Sequence, residues 1–339
     1  MADFLSHLPS IGIPSIGIAV AAAAALAASV ASGAAAQTAP LALDSRIPLE
    51  GVKGRIDHMA IDPGRQRLVV AELGNDTVDV LDLGSRTIVR RLTGVDEPQG
   101  VAYLPEPDLI AAASARDGTV HLFHAGDFSQ AAVVHLGDDA DNLRLDVSSL
   151  VAGYGKGALA WIDPSNGAKV FEIPLPGHPE GFRLHPRDSR AFVNVPDAGE
   201  ITVVDRASRK RIDGWKVDAG ANFPMAINET GDRIAVVYRK PARLVLFDTG
   251  SGRPVANVPT CGDSDDVFFD PKRSRVTVSC GEGFVEVFEQ NKSGLKSLGR
   301  VTTSEGARTS LFVPELDRLF VAARATASSP AEIRIYRPS

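Results

Sequence analysis

A pattern of four short apolar runs repeats along this chain at intervals of 38–43 residues. The pattern is clearest over His58–Val95, where clusters of Gly, Pro, Asn and Asp separate runs rich in Val, Ile and Leu. Short runs of this composition, bounded by turn-forming residues, are typical of β-strands. The four predicted strands are Met59–Ile61, Leu68–Ala71, Val78–Leu81 and Ile88–Leu92. Four strands in about 40 residues correspond to one blade of a β-propeller.

Two sets of residues occupy equivalent positions in successive repeats. The residues just before the apolar core pattern of each first strand are His58, Gln99, Asn142, Glu180, Phe223, Asp265 and Arg308. The residues that close the third strands are Asp82, His124, Asp163, Asp205, Asp248 and Glu289. A residue that recurs in the repeats serves the repeat, so we expect Asp82, Asp163, Asp205 and Asp248 to accept hydrogen bonds from backbone N–H groups of turns.

The seventh repeat is incomplete. It begins at Arg308 and contains three predicted strands, with no fourth. Those strands are Ser310–Val313, Leu319–Ala322 and Glu332–Tyr336. The segment Ser45–Gly51 (SRIPLEG) is similar to Glu172–Gly177 (EIPLPG), the fourth strand of the third repeat, and can supply the missing strand. Pairing the two ends of the chain would remove both exposed edges of the array. The sequence therefore predicts an all-β, seven-bladed β-propeller over residues 39–339, closed by its N-terminal strand.

Charge excludes one class of function. The formal net charge is −6, whereas a general nucleic-acid binder needs a basic face. We therefore expect no nucleic-acid partner.

The N-terminal segment is typical of an export signal. An Ala-rich apolar run, Ile16–Val30, is followed by Ala34 and Ala36 at the spacing that signal peptidase recognises. We predict a signal peptide over residues 1–36 and a mature protein in the bacterial periplasm or outside the cell. A positive charge before the run is missing, so a misassigned start codon or an uncleaved anchor is the alternative. The run is weakly apolar for a bilayer span, and we expect no stable membrane span after removal.

The repeats also resemble a known family. The segments Glu97–Phe123 (EPQGVAYLPEPDLIAAASARDGTVHLF) and Arg67–Leu83 (RLVVAELGNDTVDVLDL) look like the repeat of the YVTN-repeat, or YncE-like, periplasmic β-propellers. The resemblance spans about residues 45–339. It implies a seven-bladed propeller exported across the inner membrane, in a group usually treated as binding proteins without established chemistry.

A candidate site follows from the expected topology. First strands line the central channel of a propeller, so the polar residues that open them converge at its mouth. This predicts a ligand site on the mouth face, where pockets commonly form. The candidate ligand-binding residues are His58, Gln99, Asn142, Glu180, Asn222, Asp265, Arg308 and, from a loop between second and third strands, Arg239. The alternative is structural: these side chains cap strands and fill a wet channel. Arg239 and Arg308 would bind an anion or neutralise nearby acids.

Two acidic runs raise the question of a metal. Gly137–Asn142 and Gly262–Asp266 carry the weak candidate ligands Asp139, Asp141, Asp265 and Asp266. Hard cations such as Ca²⁺ need six to eight oxygen ligands, and neither run has the spacing of a calcium loop, so solvated turns are favoured. His58, His178 and Glu180 could hold a transition metal, but the spacing forms no motif. We expect no cofactor, with a divalent metal in the channel as the alternative.

Cys261 and Cys280 are the only cysteines. In an exported protein a disulfide is the leading interpretation. A pair of soft-metal ligands is the second, and a nucleophilic thiol the third. Pairing across the preceding turn would set Cys280 opposite Asp265.

Three functions compete. The first is non-catalytic binding of a small ligand or a periplasmic protein at the channel mouth, because no catalytic motif is present. The second is a lactonase- or lyase-type enzyme, by analogy with other seven-bladed propellers that use His, Glu and Arg at the channel mouth to open or close lactones. Here His58 or His178 would act as general acid or base beside Glu180, and Arg308 would stabilise a developing negative charge. The third is a structural scaffold in an envelope complex, which would need a large exposed apolar patch.

Overall fold

The structure is a computed structural model and describes residue 12, residues 39–292 and residues 294–339. The signal peptide predicted over residues 1–36 lies outside the described residues, apart from Gly12. Within this part of the chain, no helix is long and apolar enough to cross a membrane.

Seven antiparallel sheets of four strands each make up the described chain, and each sheet is one blade of a propeller. The strands are β1 (Leu41–Pro48); β2 (Met59–Asp62), β3 (Arg67–Glu72), β4 (Thr77–Asp82) and β5 (Thr87–Thr93) in blade 1; β6 (Pro98–Leu104), β7 (Leu109–Ser114), β8 (Thr119–His124) and β9 (Gln130–His135) in blade 2; β10 (Ala140–Asp146), β11 (Ser149–Tyr154), β12 (Ala158–Asp163) and β13 (Ala168–Pro174) in blade 3; β14 (Phe182–Leu184), β15 (Arg190–Val195), β16 (Glu200–Asp205) and β17 (Lys210–Lys216) in blade 4; β18 (Gly220–Ile227), β19 (Arg233–Lys240), β20 (Ala242–Asp248) and β21 (Pro254–Pro259) in blade 5; β22 (Ser264–Asp270), β23 (Arg275–Cys280), β24 (Phe284–Asn291) and β25 (Gly294–Thr302) in blade 6; and β26 (Ser310–Val313), β27 (Arg318–Ala323) and β28 (Glu332–Pro338) in blade 7. Three short 3₁₀ turns cover Leu73–Asn75, Pro196–Ala198 and Pro314–Leu316.

The prediction of a seven-bladed all-β propeller is confirmed, including its closure. Strand β1 pairs antiparallel with β28, so the sheet of blade 7 has the order β1-β28-β27-β26. The closing strand runs over Leu41–Pro48 and therefore begins and ends earlier than the predicted Ser45–Gly51. It begins earlier because Leu41 still pairs with Pro338 across a bulge between Leu43 and Ser45.

Apolar side chains pack between neighbouring blades and hold the ring together. At the junction that closes the ring, Ile47 from β1 and Phe320 and Ile333 from blade 7 pack with Leu68 and Leu81 of blade 1. Ile47, Leu68, Leu81 and Ile333 are fully buried. Each such side chain contributes roughly 1.5–3 kcal/mol through removal of apolar surface from water. The closure is therefore part of the core.

The four aspartates that end third strands act as the repeat predicts. The carboxylate of Asp82 accepts hydrogen bonds from the backbone N–H and the hydroxyl of Ser85. Asp163 binds Ser165, Asp205 binds Ser208 and Asp248 binds Ser251 in the same way. These bonds fix the turns between third and fourth strands, which is a structural role.

Candidate functional site

A small cavity lies at the channel mouth, where the first strands of the blades begin. Five predicted site residues line it, one from each of five blades: His58, Gln99, Asn142, Glu180 and Asp265. The cavity has a volume of about 40 Å³, which is room for a group of only a few atoms. The structure thus brings five of the eight predicted ligand-binding residues into one narrow site.

The cavity is lined mainly by charged groups. Besides Glu180 and Asp265, the carboxyls of Asp57, Asp141 and Asp266 face it, together with three guanidinium groups. Those groups belong to Arg55, Arg144 and Arg183. Arg144 and Arg183 were not predicted as site residues. Their signal in the sequence is a charged residue between apolar residues of a first strand, in Leu143-Arg144-Leu145 and Phe182-Arg183-Leu184.

Backbone bulges decide which residues of an opening face the cavity. The pairing of first and second strands shifts in register between Ala140 and Leu143 in blade 3 and between Ser264 and Asp266 in blade 6. Consecutive residues of a regular strand face opposite sides, whereas a bulge re-aims side chains. Asp265 and Asp266 therefore both line the cavity.

Two arginines hold Asp265 in place. Arg308 places its Nε 2.5 Å from Oδ2 of Asp265, and Arg239 forms an ion pair with Oδ1. Arg308 also binds Asp263 at 2.8 Å, and Arg239 lies over the ring of Phe223. Burial raises the pKa of Asp265, while both arginines act against that shift. Arg239 and Arg308 thus neutralise acids, the second of the two roles considered for them.

Two carboxyl groups that face the cavity have strongly raised pKa values. Burial, together with the nearby charge of Asp265, raises the pKa of Glu180 to about 7. Burial and the charge of Glu180 raise the pKa of Asp141 well above its ordinary value. Asp141 is 5% exposed, and its Oδ1 has no hydrogen-bond partner within the described chain. At neutral pH the carboxyl of Glu180 is therefore close to half protonated.

The environment of His58 keeps its imidazole neutral. Its Nε2 lies 3.7 Å from Asp57 and its Nδ1 lies 3.8 Å from Asp266. Burial and the positive charge of Arg144 nevertheless lower the pKa of His58 to about 3. At neutral pH His58 can accept or donate a hydrogen bond, but it is a weak base.

Four predicted ligand-binding or catalytic residues do not line the cavity. Arg239 and Arg308 instead bind Asp265, and Asn222 and His178 have other partners. Asn222 is fully buried and donates hydrogen bonds to Oδ1 of Asn194 and to the carbonyl of Glu200, which ties blade 5 to blade 4. His178 lies on the mouth face, where its Nδ1 is 2.6 Å from the carbonyl oxygen of Gly155 and 3.7 Å from Asp139. Both residues have structural partners in the described chain.

The candidate metal ligands do not form a compact set. Asp141, Asp265 and Asp266 line the cavity, whereas Asp139 lies beside His178. Within the described residues, no group of three or more His, Cys, Asp or Glu side chains is arranged to hold a metal ion.

Cys261 and Cys280 form a disulfide. Both are buried. The expected pairing of Cys280 with Asp265 is wrong by one residue: Cys280 lies opposite Ser264, because the bulge before Asp266 leaves Asp265 outside the ladder. The disulfide therefore ties the chain just before Asp263 and Asp265 to the end of strand β23.

Comparisons with known proteins establish the fold. No protein-family model matches the chain, and no curated protein matches it in sequence. A solved chain from "Crystal Structure of Mitotic Checkpoint Complex" is similar with a TM-score of 0.76 at 12% identity, covering 95% of this chain and 99% of that chain. A chain of "Kuenenia stuttgartiensis Hydrazine Synthase" has a TM-score of 0.74 at 14% identity, covering 86% of this chain and 99% of that chain. At such low identity the likeness shows the seven-bladed propeller fold alone.

Proposed function

We propose that this protein is an exported, non-catalytic β-propeller that binds a small polar ligand in the channel-mouth cavity. One observation carries the proposal: polar side chains from five blades face a single cavity, which no single blade needs for its own folding. The buried Oδ1 of Asp141, which has no hydrogen-bond partner in the described chain, indicates which chemical group the ligand presents there. A buried acceptor gains most from a bound hydrogen-bond donor, so the ligand carries an amino or hydroxyl group.

Native mass spectrometry tests this proposal on protein purified from the periplasm. We expect one small molecule or ion per chain in the wild type and its loss in Asp141→Asn and Glu180→Gln. Asp138→Asn is the matched control, because Asp138 lies in the same loop and is exposed. Equal occupancy in all four proteins, or an empty wild type, would overturn the proposal and favour a protein partner.

The export proposal has separate support. Ala34 and Ala36 give the cleavage pattern, and the Cys261–Cys280 disulfide suits an oxidising compartment. The repeats resemble those of YVTN-repeat proteins, for which export is usual. Expression of the whole chain should give a periplasmic protein whose first residue is Gln37. A cytoplasmic protein that retains residues 1–36 contradicts this part of the proposal.

The second candidate function is an enzyme of the lactonase or lyase type, and one observation favours it. The pKa of Glu180 is about 7, which suits a general acid or base at neutral pH. Of its other proposed residues, His58 lines the cavity, while Arg308 is paired with acids and His178 with a carbonyl. A panel of lactones tests it: hydrolysis with a pH midpoint near 7 that disappears in Glu180→Gln would establish the enzyme.

The scaffold hypothesis receives less support. Five exposed large apolar side chains of the described chain lie on the outermost strands of five different blades: Leu43, Val89, Val170, Ile212 and Val255. Exposed apolar residues scattered singly are normal on a soluble surface.

A further inference from the structure

The channel continues beyond the mouth cavity into a second cavity of about 330 Å³. This second cavity is lined by residues farther along the first strands, and most of the side chains there are apolar. They include Met59, Ile61, Tyr103, Leu145, Phe268 and Leu311. Four residues, His58, Arg144, Arg183 and Asp266, line both cavities and separate them. The channel therefore has a charged partition, with a mainly apolar cavity on the side away from the mouth.

The two arginines of the partition have no ion-pair partner within 4 Å in the described chain, unlike Arg239 and Arg308. Arg183 donates a hydrogen bond to the carbonyl of Phe182. Arg144 donates to the carbonyl of Leu143 and to Oδ1 of Asn142. All these acceptors are uncharged. Each guanidinium has five N–H donors, so both retain unused donors.

The charges around the partition also favour an anion. Burial lowers the pKa of Arg183 well below its ordinary value, and the nearby charge of Arg144 adds to that shift. Burial raises the pKa of the neighbouring Asp266 well above its ordinary value, even though its Oδ2 accepts the N–H of Ser310. Two guanidinium groups that repel each other thus lie beside a carboxyl that resists ionisation. An anion between the two guanidinium groups would offset their mutual repulsion and favour their charged forms.

We propose that this second cavity binds a small organic carboxylate with a hydrocarbon tail. The carboxylate lies against Arg144 and Arg183, where planar guanidinium groups suit two-point recognition. The tail lies among Ile61, Leu145, Phe268 and Leu311. The cavity is about twice the roughly 150 Å³ that holds a benzene ring, so a linear acid of about eight carbons fits. This site is distinct from the proposed ligand site at the mouth.

Calorimetric titration of the mature protein with octanoate at neutral pH tests the proposal. Acetate retains the charge without the tail, and 1-octanol retains the tail without the charge. We expect octanoate to bind at least tenfold more tightly than either. Equal affinity for octanoate and 1-octanol, or no binding of octanoate, would overturn the proposal.

Variants then place the ligand. Arg183→Met should weaken octanoate binding at least tenfold. Should that variant fail to fold, Leu145→Asp decides instead. Leu145 is 38% exposed, so the protein should tolerate a carboxylate there, and that carboxylate would disfavour binding of the hydrocarbon tail. Gln99→Ala is the control, since Gln99 lines only the mouth cavity. Unchanged affinity in Leu145→Asp, or an equal loss in Gln99→Ala, would contradict the assignment. The mouth proposal is tested separately by co-purified ligand in Asp141→Asn.

Discussion

Oδ2 of Asp265 lies 2.5 Å from Nε of Arg308, and Oδ1 of the same carboxylate is paired with Arg239. The three residues come from strands β19 and β22 and from the segment before β26, so one carboxylate links blades 5, 6 and 7. All three side chains are more than three-quarters buried. The arrangement fixes one side of the channel mouth.

Removing this carboxylate should destabilise the protein strongly. Asp265→Ala leaves two largely buried guanidinium groups facing each other, so we expect a loss of about 3 kcal/mol in the free energy of unfolding. Urea unfolding of the purified variant measures it. Asp263→Ala is the control, because Asp263 contacts the same two arginines but is 41% exposed. There we expect a loss below about 1 kcal/mol. Equal losses in both variants would show that Asp265 has no special role.

The ionisation of Glu180 should make stability depend on pH. Its pKa rises from 4.5 in the unfolded chain to about 7 in the folded protein. Between these values the unfolded chain has released the proton that the folded protein still holds. Stability therefore falls as the pH rises from about 4.5 to about 7, and stays lower above that range.

Glu180→Gln should remove this part of the pH dependence. We expect the variant to be more stable than the wild type at pH 8, by up to about 3 kcal/mol, and similar to it at pH 4. Urea unfolding at both pH values measures the difference between the two proteins, in which the titration of other groups largely cancels. The same difference at pH 4 and pH 8 would show that Glu180 has an ordinary pKa.

The disulfide should contribute substantially to stability. Cys261 and Cys280 are 19 residues apart, and closing a loop of similar length is worth about 3 kcal/mol. We expect the double variant Cys261→Ala/Cys280→Ala to lose about that amount in urea unfolding. The wild type unfolded with a reductant present provides the matched comparison. A double variant as stable as the oxidised wild type would show that the bond adds no stability to the folded protein.

Ring closure should be required for folding. A chain that begins at Glu50 lacks β1 and loses Leu41, Ile47 and Leu49, which are 4%, 0% and 1% exposed. Their burial contributes roughly 5–9 kcal/mol, comparable with the whole stability of a typical protein of about 5–15 kcal/mol. We expect this chain to aggregate or unfold, whereas a chain that begins at Gln37 should be monomeric and cooperative. Size-exclusion chromatography and thermal unfolding distinguish the two. A folded, monomeric short chain would show that blade 7 is stable with three strands.

The sequence by itself was enough to predict the propeller. Each blade repeats the same sequence pattern, in which a short apolar run ends at a turn such as Asp82–Ser85. Such a pattern involves only neighbouring residues, so it can be recognised without the tertiary structure. The missing fourth strand of blade 7 and the spare strand at Ser45 were visible as a mismatch in the repeat. Only the ends of that strand were wrong, because pairing with β28 extends it to Leu41.

The tertiary structure decided the site. A one-residue shift in a strand turns a side chain from one face to the other, and bulges at the openings of blades 3 and 6 make such shifts. The sequence therefore predicted that Asp265 and Asp266 lie near the mouth, but not that a bulge turns both toward one cavity or that Asn222 lies between blades. The pKa values of Glu180 and His58 also depend on burial and on the charges of residues in other blades. Those distances exist only after the ring has closed.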